Sequence, residues 1–358
     1  MAGGVYVAET VIVTRTTSRG VPEVARRDEE SFRELVEEHR ADLHAHCYRM
    51  LGSLHDADDA LQDALLRAWR ALPRFRGDSS LRTWLHRIAT NVCLDLIAKR
   101  PKRVLPVDYA PPHPRGEPDS ERALTRETWI EPYPDGEIGI EDRAESPESR
   151  YERREALELA FVAALQHLPP MQRATLIMRD VLGYSAKETA ACLDATVPSV
   201  NGALRRARTA VEERLPDRSQ QAALRELGDR RLGQLAARFA DAFERGEVDE
   251  ILAMLDERAT FSMPPYAEWS RGREAIAESW LMPGGAPPRL RYAETRANGQ
   301  LALGTYCIDP EQGGAYLPIA LDVLALNGER IVDVIAFREP ELFPRFGIPA
   351  RLPPNGAR

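Results

Sequence analysis

Residues 184–211 read Y-S-A-K-E-T-A-A-C-L-D-A-T-V-P-S-V-N-G-A-L-R-R-A-R-T-A-V. Ser185 followed by Glu188 is a capping box: the hydroxyl accepts from the Glu188 amide and the carboxylate reaches back. The short helix it starts turns Ala190 and Leu193 inward. Asp194 and Ala195 make a tight turn, and Thr196 caps a second helix. Pro198 is tolerated in the first turn, where no intrahelical donor is lost. Val200, Leu204, Ala207 and Val211 form an apolar stripe on that helix. Ser199, Asn201, Gly202, Arg205, Arg206 and Arg208 take the remaining surface. A short helix, a tight turn and a longer basic helix predict a helix-turn-helix whose second helix reads the major groove. Arginine suits such a face because its fork fits guanine edges and phosphates alike. The competing reading is a plain helical hairpin with solvated arginines.

Working outward, residues 54–70 read L-H-D-A-D-D-A-L-Q-D-A-L-L-R-A-W-R. The spacing predicts an amphipathic helix with Asp56, Asp58, Asp59, Gln62 and Asp63 exposed, and acids near its start suit the helix dipole. Residues 75–103 follow as F-R-G-D-S-S-L-R-T-W-L-H-R-I-A-T-N-V-C-L-D-L-I-A-K-R-P-K-R. Here a small-residue loop leads into a helix with Trp84, Leu85, Ile88, Val92 and Leu96 as its apolar bulk. Arg82, Arg87, Asn91, Lys99, Arg100, Lys102 and Arg103 supply donors and charge. Opening a duplex needs surfaces to receive unstacked bases and cations to hold the separated strand. For Phe75 and Trp84, packing in a core is an equally good reading.

The bulk numbers are compatible with this. The chain has 358 residues, enough for two or three domains. A formal net charge of −8 argues against nucleic-acid binding only if charge is evenly spread, and here the bases are segregated. Cys47, Cys93, Cys192 and Cys307 are scattered with no C-x-x-C pair, which argues for a reducing, cytoplasmic setting. No apolar run reaches the roughly 18 residues of a membrane span, so no membrane partner is expected. Residues 1–28 read as a flexible extension without the pattern of a secretory signal. His39, His44, His46, Cys47 and His55 cluster in sequence, but His44 and His46 point to different helix faces. They are read as core or surface residues, with no metal and no cofactor expected.

The upstream run L-Q-H-L-P-P-M-Q-R (165–173), D-V-L-G-Y-S (180–185) and the helix-turn-helix together resemble region 4 of extracytoplasmic-function (ECF) sigma factors of RNA polymerase. The two earlier stretches resemble region 2 of the same family. The resemblance covers about 31–215 and rests on two segments in the expected order. It implies core RNA polymerase and promoter DNA as partners. It assigns Asp58, Asp59, Gln62, Leu65 and Trp69 to polymerase docking. Arg76, Gly77, Asp78, Ser79, Trp84, Arg87 and Asn91 would work on the −10 element. Ser199, Asn201, Arg205, Arg206 and Arg208 would work on the −35 element.

The expected architecture is multidomain: an all-α region 2 bundle over 29–103, a linker over 104–150 and an all-α region 4 unit over 151–216. An α+β domain follows over 228–346, with a tail over 347–358. The linker is rich in proline and acids, although Trp129 and Tyr133 suggest that part of it docks. The last domain starts with helices around Leu235, Phe239, Phe243, Ile251, Leu252 and Leu255. Strands are expected at 259–263, 289–297, 301–308, 315–326 and 330–337, with a short helix at 272–280, giving a curved antiparallel sheet. This order resembles the SnoaL-like, NTF2-like cone. Tyr266, Trp269, Tyr306, Asp309 and Asp322 are candidates to line its interior, for a small-molecule ligand of unknown identity. Residues 231–358 contain no histidine, so catalysis is not expected. The resemblance implies regulation in cis through contacts with both sigma units, and Pro340–Pro349 is a candidate contact segment, although its apolar residues fit sealing the base of the cone equally well. Two further readings are a helix-turn-helix regulator with a ligand-binding C-terminal domain and an enzyme using the cone. The region-2-like stretch disfavours the first of these.

Overall fold

The computed structural model describes residues 29–112, 124–137, 152–280 and 290–354. The expected N-terminal extension, much of the linker and the end of the tail lie outside the described residues.

Three helices make the first unit: α1 (Glu29–Leu51), α2 (Leu54–Ala71) and α3 (Leu81–Ile97). Ser53 caps α2 by accepting from the Asp56 amide, and Ser80 caps α3 by accepting from the Thr83 amide. Apolar residues at helical spacing (Leu43, Met50, Leu54, Leu61, Leu85, Val92) bury themselves between the three. A short α4 (Pro106–Tyr109) follows.

The second unit comprises α5 (Leu159–Gln166), α6 (Pro170–Leu176), α7 (Ala186–Cys192) and α8 (Val197–Glu212). Ser185 and Glu188 form both bonds of the capping box, and Thr196 accepts from the Ser199 amide. The predicted stripe of Val200, Leu204, Ala207 and Val211 is buried. This unit packs directly on the first. Arg49 Nε donates to the Ala156 carbonyl at 3.0 Å, and His86 meets Tyr184 edge-on at 5.7 Å.

The described parts of the linker are not a free tether. Trp129, Ile130 and Tyr133 are buried, and Val104 pairs with Trp129 across an isolated bridge. Their apolar surface repays the ordering of a backbone that proline content alone would leave loose.

The C-terminal domain runs α9 (Gln220–Leu227), α10 (Asp229–Arg245), α11 (Val248–Met254), β1 (Leu255–Ser262), β2 (Trp269–Arg271) and α12 (Arg273–Trp280). It continues with β3 (Leu290–Ala297), β4 (Gln300–Asp309), β5 (Ala315–Asn327) and β6 (Arg330–Phe337). The six strands are ordered β2-β1-β6-β5-β4-β3. The element order is the one that the SnoaL-like resemblance implies, with two departures. β1 pairs with β6 in parallel, so the sheet is mixed rather than antiparallel. β2, with three residues, is too short to show alternation in sequence.

Strand alternation sorts the sheet into two apolar faces. Leu301, Leu303, Leu324 and Leu326 face the cluster containing Phe239 and Phe243 of α10. Ala302, Tyr306, Val323 and Phe337 face the other way, with Phe343, Phe346 and Ile348 of the segment after β6. That second face is continuous with the core of the helical units. The β3–β4 turn is Asn298–Gly299, with φ of 54° and 69°, the positive values that a two-residue hairpin requires.

Candidate nucleic-acid and partner surfaces

Burying the stripe of α8 leaves Ser199, Asn201, Arg205, Arg206 and Arg208 exposed. Arg208 departs from the expectation of a cation free for DNA. Its guanidinium forks onto Asp180, with Nε at 2.8 Å and Nη2 at 2.7 Å. Asp180 lies in the π-helical turn Ile177–Val181 that continues α6, and the sequence reading treated it only as part of a motif.

Ahead of α3, Phe75 is buried and stacks against Trp84 with ring centroids 4.8 Å apart. Trp84 is half-buried, so its ring serves the core and still reaches the surface. Gly77 has φ of 72°, a left-handed value that reverses the loop. It is buried, whereas its neighbours Arg76, Asp78 and Ser79 are exposed. Arg87 and Asn91 are exposed four residues apart on α3, so they share one face with the loop's exit.

On α2, Asp58, Asp59 and Gln62 are exposed, and Leu65 and Trp69 are half-buried, one helical stripe. Trp69 rests on Phe32 at 5.3 Å. Leu66, which sequence reasoning did not single out, is 48% exposed beside them. Asp56 is not on this face, contrary to expectation. It is buried and paired with Arg103 at 2.8 Å and with Arg100. The cationic run 100–103 thus folds back on the start of α2.

Asp58 is occupied. Arg345 Nη1 lies 2.6 Å from its Oδ2, and His44 Nε2 lies 3.0 Å from its Oδ1. Burial opposes ionisation of Asp58, yet these two bonds outweigh it and hold the carboxyl at about 2. Arg345 also pairs with Glu137 of the linker at 2.6 Å. It belongs to the 3₁₀ segment Pro340–Phe346, inside the stretch read as a contact candidate. That segment seats against β4 at Gly304, where an added Cβ would collide with Ile348 and Phe343.

A second junction lies beside the first. Glu131, 1% exposed, bonds His55 Nδ1 at 2.8 Å and the Ser53 hydroxyl at 2.9 Å. Burial again opposes its charge, while His55 and Arg103 hold it at about 2. His55, Glu131 and Glu339 present ligand atoms close enough for one cation. Arg126 stands among them, 2.8 Å from Glu339 and 3.3 Å from Glu131.

The five candidate pocket residues do not converge. Trp269 Nε1 donates to the Ala110 carbonyl at 2.7 Å. The Tyr306 hydroxyl donates to the Pro349 carbonyl at 2.6 Å, on the face that meets the helical units. Asp322 pairs across the sheet with Leu303, so it lies on the α10 side, where it accepts from Thr305 at 2.8 Å. Burial pushes the Asp322 carboxyl up to about 7. Tyr266 lies in the turn after β1, its ring 6.0 Å from the Arg338 guanidinium. Asp309 caps the turn after β4 by accepting from the Glu311 amide. Tyr292, opposite Thr305 in the register, is the polar neighbour of Asp322 that sequence reading missed.

No described helix is long and apolar enough to cross a membrane. Family models match twice: Sigma-70 region 2 over residues 35–103 and Sigma-70 region 4 over residues 154–211. The chain is 40% identical over 324 residues to the ECF RNA polymerase sigma factor SigG of Mycobacterium tuberculosis, covering 90% of this chain and 85% of the relative. It is 31% identical over 195 residues to the RNA polymerase sigma-H factor of Pseudomonas aeruginosa, covering 54% of this chain and 91% of the relative. The crystal structure of the Mycobacterium tuberculosis ECF sigma factor SigJ is similar in fold. Its TM-score is 0.53 at 20% identity, over 90% of this chain and 100% of that one.

Proposed function

The chain belongs to the ECF sigma factors of RNA polymerase, and from that premise we propose how its surfaces divide the work. As a sigma factor it is a transcription-initiation subunit, not an enzyme, and it directs core polymerase to promoters. We assign the −35 element to Ser199, Asn201, Arg205, Arg206 and Arg208 of α8. Arg208 first has to leave Asp180. The −10 element falls to Arg76, Gly77, Asp78, Ser79, Trp84, Arg87 and Asn91. Their support is an exposed loop, a half-buried ring and a donor-bearing helix face in one place. The α2 stripe of Asp58, Asp59, Gln62, Leu65 and Trp69 docks on core polymerase, with exposed Leu66 adding apolar area. The proposed setting is the cytoplasm, where polymerase and promoter are.

The C-terminal domain regulates in cis, in the restraining sense. The observation that carries this reading is the bond from Arg345 to Asp58, which puts the appended domain on a residue of the docking stripe. Both side chains are partly solvated, so the pair contributes about 1 kcal/mol or less, roughly a fivefold bias toward the covered state. Arg345→Gln should therefore tighten binding to core polymerase by up to about fivefold and raise transcription from a cognate promoter in a reconstituted assay. A variant that folds normally and binds polymerase with unchanged affinity refutes the regulatory reading.

A further inference from the structure

Between the end of α3, the end of α1 and the loop joining α5 to α6 lies a cavity of about 380 Å³. Its walls carry Arg100, Lys102, Arg103 and Arg173, with His167 beside them, and Asp56 is the lining carboxylate. Asp56 is already consumed by Arg103 and Arg100. Arg173 is 5% exposed, and its bonds go only to uncharged acceptors: the carbonyls of Met50, Gln166 and Leu168 and the Gln166 side chain. Its Nε is buried without a partner. Lys102 Nζ sits 2.7 Å from His167 Nδ1, and the Nε2 of that ring lies 3.2 Å from Asp108. Among the described residues, neither Arg173 nor Lys102 has a carboxylate in an ion pair.

A buried guanidinium facing only carbonyls is costly, because dipoles repay less of its lost hydration than a counter-charge does. Here that guanidinium borders a cavity of small-ligand size, rimmed by further cations. Arginine forks match phosphate oxygens two at a time. We infer that this cavity binds a small phosphorylated anion, of the size of pyrophosphate or a compact phosphate ester. The volume suits a free small molecule rather than the backbone of a duplex. Partial desolvation lowers the pKa of Lys102 against the pull of Asp108, and Arg214 and Arg173 lower it further; an anion there relieves the crowding of these cations.

The walls come from both helical units, so a ligand that needs both favours their docked arrangement. That consequence rests on the sigma-factor reading, in which the two units grip separate promoter elements. The binding itself does not.

Calorimetric titration of the full chain with pyrophosphate, at constant ionic strength and with inorganic phosphate as comparator, tests the site. One saturable site below about 1 mM is expected. Arg100→Gln with Lys102→Gln should weaken it at least about tenfold. Lys102 is exposed, so Lys102→Gln alone should weaken the anion without moving the thermal midpoint measured in its absence. The double variant also breaks the Arg100–Asp56 pair, and Arg103, which continues to hold Asp56, limits the resulting fall in that midpoint. No saturable heat with either anion, or equal affinity in the double variant, overturns the proposal. A short duplex is the further arm. Unchanged pyrophosphate affinity in its presence supports a free-anion site, and displacement gives the site to the DNA path and overturns the assignment. No polymerase or promoter activity enters the measurement, so its failure leaves the sigma-factor reading where it stood.

Discussion

Asn298 Nδ2 donates to the Tyr48 hydroxyl at 2.8 Å, joining the tip of the β3–β4 hairpin to α1 across 250 residues of sequence. The same amide group donates to the Leu157 carbonyl at 2.7 Å, and Asn298 Oδ1 accepts from the Tyr133 amide at 2.8 Å. The Tyr48 hydroxyl in turn donates to the Glu131 carbonyl at 2.8 Å. One fully buried side chain therefore ties the appended domain to the first helix, the linker and the approach to α5. A satisfied buried network of this kind specifies one arrangement, because each partner left alone would be costly.

Asn298→Gly keeps the left-handed backbone and removes the carboxamide, leaving buried groups of Tyr133, Tyr48 and Leu157 short of a partner. At roughly 1 kcal/mol or more for each, the variant should lose about 2–4 kcal/mol. Asn298→Ala should lose more, since alanine resists a φ of 54°. Urea denaturation reads both. Midpoints equal to the parent's would mean that water replaces the carboxamide at no cost.

Asp322 gives a pH dependence of stability. Its carboxyl is raised by burial from an ordinary 3.8 to about 7 in the folded chain. The unfolded chain releases this proton near pH 4, and the folded chain holds it to about 7. The group's contribution is therefore whole below pH 4 and is lost as pH rises toward 7, by up to about 4 kcal/mol. Asp322→Asn keeps an acceptor for Thr305 without the charge. It should stabilise the protein at pH 8 and flatten the slope between 4 and 7. A parent-like slope in that variant would place the titration elsewhere.

What was legible in the sequence was local or periodic. Ser185, Glu188 and Thr196 act within one turn of themselves, so the caps could be read directly, as could the α8 stripe. The pairing of distant segments could not. Tyr306 and Asp322 both looked like cone residues, and only the register of β4 on β5 separates them onto opposite faces. Asp56 and Asp58 are two apart on one helix, and both read as exposed. Arg103 buries the first, while Arg345 claims the second. Asn298 falls between the strands expected at 289–297 and 301–308, but nothing near it in sequence announces Tyr48 as its partner.

Glu131 predicts acid sensitivity of the same junction. Its folded pKa is depressed from 4.5 to about 2, so the stability that it contributes is present above about 4.5 and lost as pH falls through 2. The emission of Trp129, two residues away and 2% exposed, should report the opening. Glu131→Gln leaves Arg103 on Asp56 and Arg126 on Glu339, so its cost should be about 1–3 kcal/mol, and it should remove the transition. A transition that survives in the variant would assign it to other carboxyls.

The arginines of α8 should prove unequal. Arg205 and Arg206 are exposed on the reading face, whereas Arg208 is already bonded twice to Asp180. Arg208 gives up those bonds before it can reach DNA, so part of any contact it makes is offset. Arg205→Ala and Arg206→Ala should each weaken binding of polymerase holoenzyme to a cognate promoter by about 1–3 kcal/mol if they meet bases. If they meet only phosphates, the loss should be uniform across sequences and lower the salt slope by about 1. Arg208→Ala should cost less than either, and Asp180→Ala, which frees Arg208, should strengthen binding. Gel-shift titrations at two or more salt concentrations separate these outcomes. A larger loss from Arg208→Ala than from Arg205→Ala would mean that the Asp180 pair aims the guanidinium at the promoter instead of withholding it.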